Sequence, residues 1–438
     1  MYSHFPAALR PALGALILST TPLRAQTPAQ IAPPPAAAPA ANEKSDARKL
    51  GDGWLAELRA EARRRHPSVA AARARLTAAA AGVRTVRLWD DPELGFSLTA
   101  ARQSMRADDG DIGLGLEQRL PRPGLYAAMK SKAAAEQRAQ EAEVMAAEAM
   151  LGMETAKAAL ELALADEALA LEVQQVEWVK EIAANASERA RDPMAGSAEA
   201  LRVESELAQE RQKLAAMLRE REQRARQLNL LLGRPAAQPW AKLSLPGIAS
   251  APELQKLLAR LSSANPRLQS LRHMADAATA ETTVVRRERQ PDVGLSVDTN
   301  TYSGGDFRDA MFGVRISLPW FNDRVYRARE ERAAALASAA QHDLAATERE
   351  LQAQAIGAST EARNAAQQAA AFSNEIIPAA GKAAEAVNNA WVSSKATLLE
   401  VLEARRSLLS VRLEERRFLA AHRAALETLR ALAPQDQR

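Results

Sequence analysis

The chain has 438 residues, of which 47% are hydrophobic, 26% are charged and only 4% are aromatic. It contains no cysteine, which excludes disulfides, a thiol nucleophile, a cysteine-ligated zinc site and a lipid anchor on cysteine. The formal charge of +4 is too small and too evenly spread to indicate a nucleic-acid partner. Much of the apolar content is alanine and leucine, which favours long helices packed closely side by side.

Residues 1–25 are typical of a secretory signal peptide. Arg10 supplies a positive charge, Leu13–Leu18 is a short apolar run, and Leu23–Ala25 is an acceptable cleavage site. A disordered N-terminus is the alternative. Residues 26–53 are rich in proline and alanine and are predicted to form an extended arm. No later segment approaches the roughly 20 apolar residues of a membrane-spanning helix, so membrane insertion would require a β-barrel.

The sequence contains an internal duplication. Pro92–Ser97 recurs as Pro291–Ser296, 199 residues later, and His66-Pro67 matches Asn265-Pro266 at the same offset. Several matches in one order at one offset indicate a tandem repeat. The predicted division is a first repeat over 54–232, a connector rich in proline and glycine over 233–252, a second repeat over 253–432 and a tail over 433–438.

Each repeat is predicted to contain a helix of about 35 residues, two short strands, a very long helix and a return helix. No proline lies between Pro123 and Pro193, so one helix could extend over about 68 residues, or about 100 Å. The return helices are predicted over 197–232 and 395–432. In the second repeat, Pro378 is predicted to kink or split the long helix.

Four predicted strands, at about 92–101, 110–120, 291–302 and 309–319, alternate between apolar residues and polar residues or glycine. Segments of about ten residues with this period-two pattern are typical of outer-membrane β-barrels whose apolar face contacts lipid. Two soluble hairpins packed on helices are the alternative. The apolar positions are Leu94, Phe96, Leu98, Ile112, Leu114, Leu116, Val293, Leu295, Val297, Phe312, Val314, Ile316 and Leu318.

Aromatic residues cluster around these strands, as they do at the membrane interfaces of barrels. The clustered aromatics are Trp89, Phe96, Tyr126, Tyr302, Phe307, Phe312, Trp320, Phe321 and Tyr326. The polar segments 102–111 and 303–308 between the strands are predicted to lie outside the cell. Four strands cannot close a barrel, for which about eight is the practical minimum, so the strands require an oligomer.

The order and spacing of several motifs resemble the TolC family of outer-membrane efflux proteins over about 54–432. Besides the duplicated plan, the motifs are Gln118–Gly124, Ser317–Asn322, Ile377–Ala380 and Trp391–Arg405. The last motif is the most specific, because it contains an aromatic residue followed by an acidic-x-x-acidic-Ala run. It departs from the usual family pattern at Ser394, where glycine is common, and at Trp391, where tyrosine is common.

The resemblance implies a mostly α protomer with a small β part, built from tandem repeats of long antiparallel helices. Three such protomers would form a homotrimer, with a twelve-stranded barrel in the outer membrane on an α-helical tunnel in the periplasm. The implied function is passive export, with a periplasmic adaptor (membrane-fusion) protein, an inner-membrane efflux pump and outer-membrane lipid as partners. The arm, Ile377-Pro378 and Pro319–Asn322 are similar to members that serve heavy-metal cation pumps, although the cargo stays open between metal ions, drugs and a polypeptide.

Glu400 and Glu403 lie three residues apart on one predicted helix and so share a face. The resemblance implies that they project into the pore near its periplasmic end, where three copies would form two carboxylate rings that favour cations. The matching positions of the first repeat are Glu199 and Arg202, and Arg202 could pair with a carboxylate in a closed state. The alternative is a solvated pair on an ordinary helix surface.

The turns at the far ends of the long helices, at 189–197 and 391–397, are predicted docking surfaces for the adaptor. Solvated turns without a partner are the alternative. The candidate docking residues are Arg189, Arg191, Gly196, Ser197, Trp391, Ser394 and Lys395.

No residue is predicted to be catalytic, to bind a cofactor or to bind a metal, and the chain is predicted not to be an enzyme. Its five histidines lie far apart, and it carries no nucleotide-binding motif, so a partner would have to supply the energy for export. The alternative to a duct is a soluble periplasmic coiled-coil adaptor or scaffold. Such a protein would not keep four apolar strand faces bracketed by aromatic residues.

Overall fold

The computed structural model describes residues 48–98, 112–189, 197–301, 307–393 and 395–434. The first half contains β1 (Arg48–Lys49), α1 (Asp52–Arg65), α2 (Pro67–Thr85), β2 (Glu93–Leu98), β3 (Ile112–Arg119), α3 (Leu125–Arg189) and α4 (Ser197–Leu231). The second half contains β4 (Leu243–Ser244), α5 (Leu254–Ala264), α6 (Pro266–Glu288), β5 (Val293–Thr301), β6 (Phe307–Ile316), α7 (Asp323–Ala371), α8 (Ile377–Val392) and α9 (Leu398–Leu432). The chain is therefore mostly helical, and the two halves repeat one order of elements.

Several predicted segments lie outside the described residues. They are the signal peptide over 1–25, the arm as far as residue 47, the polar segment 102–111 and most of the polar segment 303–308. The end of the predicted arm is described, and it forms β1 and the first residues of α1.

The expectation of a single helix of about 35 residues ahead of each strand pair was wrong, because each half has two helices there. Prolines begin α2 and α6, and a residue before proline is disfavoured in helical conformation. His66 and Asn265 are extended at these breaks and cap the next helix, with Asn265 Oδ1 accepting the Leu268 N–H at 3.1 Å. The His-Pro and Asn-Pro dipeptides are therefore repeated helix breaks.

The long helix of the first half, α3, runs for 65 residues without interruption. At about 1.5 Å per residue this corresponds to a length of about 97 Å. The return helices α4 and α9 have 35 residues each. The helix predicted to be interrupted by Pro378 is indeed divided, by a π-helical turn over Phe372–Ile376 between α7 and α8. The turn precedes the proline because its ring removes a backbone N–H from the helical ladder.

Four strands form one antiparallel sheet in the order β2-β3-β5-β6. The duplicated hairpins β2–β3 and β5–β6 join through β3 and β5, with Leu116 opposite Val297. Within the part of the chain that the structure describes, β2 and β6 each have one strand neighbour. The outer edges of β2 and β6 are therefore open in the protomer.

The register separates the residues of the sheet into two faces. One face is apolar and exposed, and Phe312, which is 81% exposed, lies on it in the middle of the edge strand β6. The other face carries polar residues and glycines, and ion pairs join Arg119 to Glu93 at 3.2 Å and Arg315 to Glu117. This pairing confirms the predicted alternation, which assigns apolar and polar residues to opposite faces of the sheet.

Two clusters of buried apolar residues lie along the helices α3, α4 and α9. We name the first the central cluster; it includes Leu55, Leu58, Leu160, Leu162, Leu228, Leu232 and Leu419. We name the second the tip cluster; it includes Val176, Val179, Ile182, Val203, Leu207, Trp391, Leu398, Val401 and Leu402. Among the described helices, none combines the length and the apolar character that crossing a membrane requires.

Candidate functional site

The tip cluster brings together the ends of the two helical hairpins that carry the predicted pore residues. The last turns of α3 and α8 and the first turns of α4 and α9 all contribute to it. Val203 of α4 and Val401 of α9 are buried in it and therefore fix the rotation of both helices. The polar residues beside these anchors, Glu199, Arg202, Glu400 and Glu403, are exposed on the protomer.

Glu400 has a local structural role as well as its predicted one. Its carboxylate accepts the Thr397 backbone N–H at 2.7 Å, and its own N–H donates to Thr397 Oγ1 at 3.3 Å. This reciprocal capping box begins α9. The hydrogen bonds from the Thr397 backbone and side chain hold the pKa of Glu400 below its usual range. Glu400 is therefore a fixed negative charge at the start of α9.

Arg202 has no ion pair among the described residues of the protomer, and the latch through Arg202 stays a prediction for the closed state. A different pair joins α4 to α9 one turn further along: Arg406 Nε donates to Glu206 Oε1 at 3.1 Å. The Glu206 side chain is 10% exposed, so this ion pair is partly shielded from solvent. The guanidinium of Arg405 also lies 5.3 Å from the centre of the Trp178 ring on α3.

Sequence reasoning missed these contacts because it selected residues by repeat offset and family pattern. Glu206 is flanked by Leu207 and lies three residues after Val203, so it falls within the apolar stripe of α4. A charged residue inside such a stripe is the signal that could have identified it, since buried charges in proteins are usually paired.

The predicted docking residues differ in their exposure and in their position on the helices. Trp391 is only 8% exposed and packs in the tip cluster, so its ring is not available as a surface contact in the protomer. Lys395 is exposed, and its N–H donates to the Ala390 carbonyl at 2.8 Å, which closes the end of α8. Arg189 ends α3 and Ser197 begins α4. The remaining predicted docking residues, Arg191, Gly196 and Ser394, lie outside the described residues.

A two-faced antiparallel sheet with open edges, attached to helical hairpins of this length, defines a class of outer-membrane channel subunit. The profile of the outer membrane efflux protein family matches residues 58–234 and 257–434. These two matches cover most of the chain and both of its halves. The chain therefore belongs to the outer membrane efflux protein family, and the resemblance to TolC-like proteins is confirmed.

Solved structures of outer-membrane channels have the same fold. VceC from Vibrio cholerae is 20% identical, with a TM-score of 0.73 over 87% of this chain and 96% of that chain. The open state of MtrE from Neisseria gonorrhoeae is 20% identical, with a TM-score of 0.71 over 86% and 88%. CusC, studied for conformational changes during folding and channel formation, is 17% identical, with a TM-score of 0.74 over 88% and 93%. No curated protein matches the chain.

Family membership identifies the chain as an outer-membrane efflux protein. This membership does not favour the alternative of a soluble periplasmic adaptor or scaffold. The family consists of channel proteins rather than enzymes.

Proposed function

We propose that three copies of this chain form a passive export duct through the outer membrane, which a periplasmic adaptor links to an inner-membrane efflux pump. The observation that carries this proposal is the sheet, which is apolar on one face, polar on the other and open at both edges. Unpaired strand edges are not tolerated in hydrocarbon, so the edges must pair with other copies. Pairing β6 of one copy with β2 of the next preserves the antiparallel order.

The absence of cysteine from the sequence makes this pairing directly testable by disulfide cross-linking. Phe96 of β2 and Phe312 of β6 lie on the apolar face, near the middle of the two edge strands. Phe96→Cys is combined in turn with Ala310→Cys, Phe312→Cys or Val314→Cys to cover different registers. If three copies close the sheet, oxidation of the best-matched pair yields a covalent trimer and no larger species on a denaturing gel.

The control pair joins strands within one chain. Phe96 faces Leu114 in the described register, so Phe96→Cys with Leu114→Cys is expected to give an internal disulfide and only single chains. Covalent dimers or tetramers as the end point would contradict the trimer. A lack of any cross-link between copies in every register would contradict closure of the sheet by strand exchange.

We further propose that Glu400 and Glu403 form carboxylate rings at the narrow periplasmic end of the duct and favour cationic cargo, including heavy-metal cations. Both side chains are exposed in the protomer, and the capping hydrogen bonds keep Glu400 ionised. Rings of carboxylates attract cations and repel anions. Glu199, at the matching position of α4, adds a third acidic residue of the same tip, with Arg202 one turn away as its basic neighbour.

Replacing both acidic residues with glutamine is expected to reduce the preference of the channel for cations over anions and to weaken its blockade by multivalent cations. Reversal potentials and blockade in planar bilayers measure the two effects. Glutamine is chosen at Glu400 because its side-chain oxygen can still accept the Thr397 N–H, whereas Glu400→Ala also removes this half of the capping box. A change in the alanine variant that Glu400→Gln with Glu403→Gln does not reproduce would assign the effect to the cap.

The matched control for the carboxylate rings uses Glu385 of α8, which is also exposed. Glu385→Gln removes the same charge from a neighbouring helix and is expected to leave selectivity unchanged. Wild-type selectivity and blockade in the double glutamine variant would contradict the carboxylate rings.

For adaptor docking, we propose the exposed surface around Lys395, together with the exposed Val392 and Ser393 at the end of α8. Val392 is 64% exposed beside the buried Trp391, so the tip presents an apolar side chain that its own cluster does not cover. In this proposal Trp391 holds the turn in place from beneath and does not contact the adaptor.

A further inference from the structure

A layer of polar side chains interrupts the apolar packing of α3 on α4 among the tip-cluster residues nearest the central cluster. We name it the polar layer; it consists of Glu172 and Gln175 of α3 and Glu206, Glu210 and Lys213 of α4. The four acidic and amide side chains are buried, and Glu172 is 2% exposed. They occupy helix positions that are apolar in the clusters on either side, such as Leu160 and Val179. The layer is therefore a discontinuity in an otherwise apolar helix–helix interface.

The polar layer contains more acidic than basic groups. Lys213 Nζ lies 2.7 Å from Glu172 Oε2 and 3.5 Å from Glu210 Oε2, so two carboxylates share one ammonium group. Glu172 Oε1 and Gln175 Oε1 are buried without a hydrogen-bond partner in the described structure. On the α4 side, the remaining carboxylate, Glu206, is paired with Arg406.

The charged groups of α9 next to the layer are engaged elsewhere. Arg405 lies over the Trp178 ring, and burial, followed by the charge of Arg412, lowers its pKa. Arg416 lies between Glu167 and Glu415, 3.1 Å from each carboxylate. No second cation from α9 therefore compensates the Glu172–Glu210 pair among the described contacts.

The π-helical turn lies on the central-cluster side of the polar layer, because Phe418, which it contacts, packs against the central cluster. Phe372, its first residue, packs against Phe418 of α9 with the ring centres 5.2 Å apart. Arg416, two residues from Phe418, contacts Glu167, which is five residues or about 7.5 Å from Glu172 along α3. The π turn, which interrupts the regular helical ladder, therefore lies about two helical turns from Glu172 along the helices.

We propose that the polar layer forms a hinge that is controlled by one proton: the hinge stiffens when Glu172 is protonated and loosens when it is ionised. Protonated Glu172 donates a hydrogen bond to Glu210, and Lys213 then balances a single negative charge. Ionised Glu172 leaves two buried carboxylates to one lysine, so repulsion separates α3 from α4 at this level. The tip side of α4 then packs more loosely on α3, whereas the packing of the central cluster is unchanged.

The sign of the pH effect follows from the pKa of Glu172. Burial, together with the hydrogen bond to Glu210, raises this pKa from 4.5 to about 7, although Lys213 acts in the opposite direction. The packing of α3 on α4 is therefore strongest below the ordinary carboxyl pKa and weakens as pH rises through about 7. Burial lowers the pKa of Lys213, but the hydrogen bond and charge of Glu172 outweigh this and raise it, so the lysine stays charged across this range.

A nitroxide label on the tip side of the layer tests the hinge. Leu201→Cys places it on an exposed residue of α4 in an otherwise cysteine-free chain, and Leu230→Cys places a reference label beyond the layer. The mobile fraction of the label at position 201 is expected to rise several-fold between pH 6 and pH 8, whereas the label at position 230 stays constant. In Glu172→Gln, an isosteric mimic of the protonated form, the rise should be lost.

Two further variants test whether the transition belongs to Glu172. Lys213→Met removes the charge that favours ionised Glu172, so the midpoint should move to higher pH. Glu181→Gln, at an exposed site further along α3, should retain the wild-type transition. A flat response at position 201, or an unchanged transition in Glu172→Gln, overturns the hinge. The labels report motion within each protomer, so this outcome is distinct from a failure of the trimeric duct, which the cross-links detect.

Discussion

An arginine in place of Phe312 is expected to prevent the protein from assembling in the outer membrane. Phe312 lies in the middle of β6 on the apolar face, and its side chain is 81% exposed in the protomer. An arginine on the lipid face near the bilayer centre costs about 2–4 kcal/mol, so the three copies of the proposed duct would together cost about 6–12 kcal/mol. This total is comparable with the whole stability of an ordinary folded domain, about 5–15 kcal/mol.

The neighbouring residue provides a matched control with the same substitution on the same strand. Met311 lies on the polar face, directly opposite Asp298 of β5. Met311→Arg should therefore be tolerated, because its guanidinium faces a carboxylate and the lumen. Cell fractionation and gel migration of unboiled samples measure the amount of assembled oligomer for both variants.

The relation between these two variants tests the orientation of the sheet. Equal assembly of Phe312→Arg and Met311→Arg would mean that the apolar face does not contact lipid. Loss of assembly in Met311→Arg alone would reverse the two faces. Either outcome would remove the main support for the proposed duct.

The strands were predictable because their signal is local. Alternation of apolar and polar residues with period two assigns each side chain to a face without knowledge of distant contacts. The join between β3 and β5 was not predictable in this way, since Leu116 and Val297 come from different repeats. The duplication suggested two equivalent hairpins but carried no information on which edges of the hairpins meet.

The connector was under-predicted because its structure depends on long-range contacts. Its proline and glycine content indicated a linker, yet Leu243 and Leu245 are buried in the central cluster, and β4 pairs with β1. Asn229 of α4 donates to the Ala236 and Gln238 carbonyls and accepts from the Trp240 indole N–H. A single asparagine near the end of a helix does not indicate three such contacts in advance.

The candidate site was only partly accessible to sequence reasoning for a similar reason. Family resemblance directed attention to Glu400 and Glu403, and the structure adds that Glu400 caps its own helix. The capping signal, Thr397 followed three residues later by glutamate, was present in the sequence. The polar layer around Glu172 was hidden, because glutamate and glutamine are common in surface helices and only packing reveals that they are buried.

The replacement of Asp166 by alanine is expected to cause the largest loss of stability in the helical part, about 3–5 kcal/mol, because it leaves a partly buried arginine unpaired. The Asp166 side chain is 3% exposed, and its Oδ1 accepts the Arg221 Nε–H at 2.5 Å. Its Oδ2 accepts the Leu243 backbone N–H at 2.9 Å, so the same carboxylate holds the connector on α3. Thermal and denaturant unfolding of the detergent-solubilised protein measure the loss.

Three comparisons separate the buried network from a general effect of charge. Asp166→Asn keeps one acceptor for the Leu243 N–H and should lose less stability than Asp166→Ala. Adding Arg221→Leu to Asp166→Ala should recover part of the loss, because the unpaired charge is then removed. Glu222→Ala, which breaks an exposed pair with Arg226, should change stability by no more than about 1 kcal/mol.

Release of the connector in Asp166→Ala should also accelerate tryptic cleavage after the exposed Lys242. A wild-type cleavage rate would contradict the anchoring of the connector by Asp166.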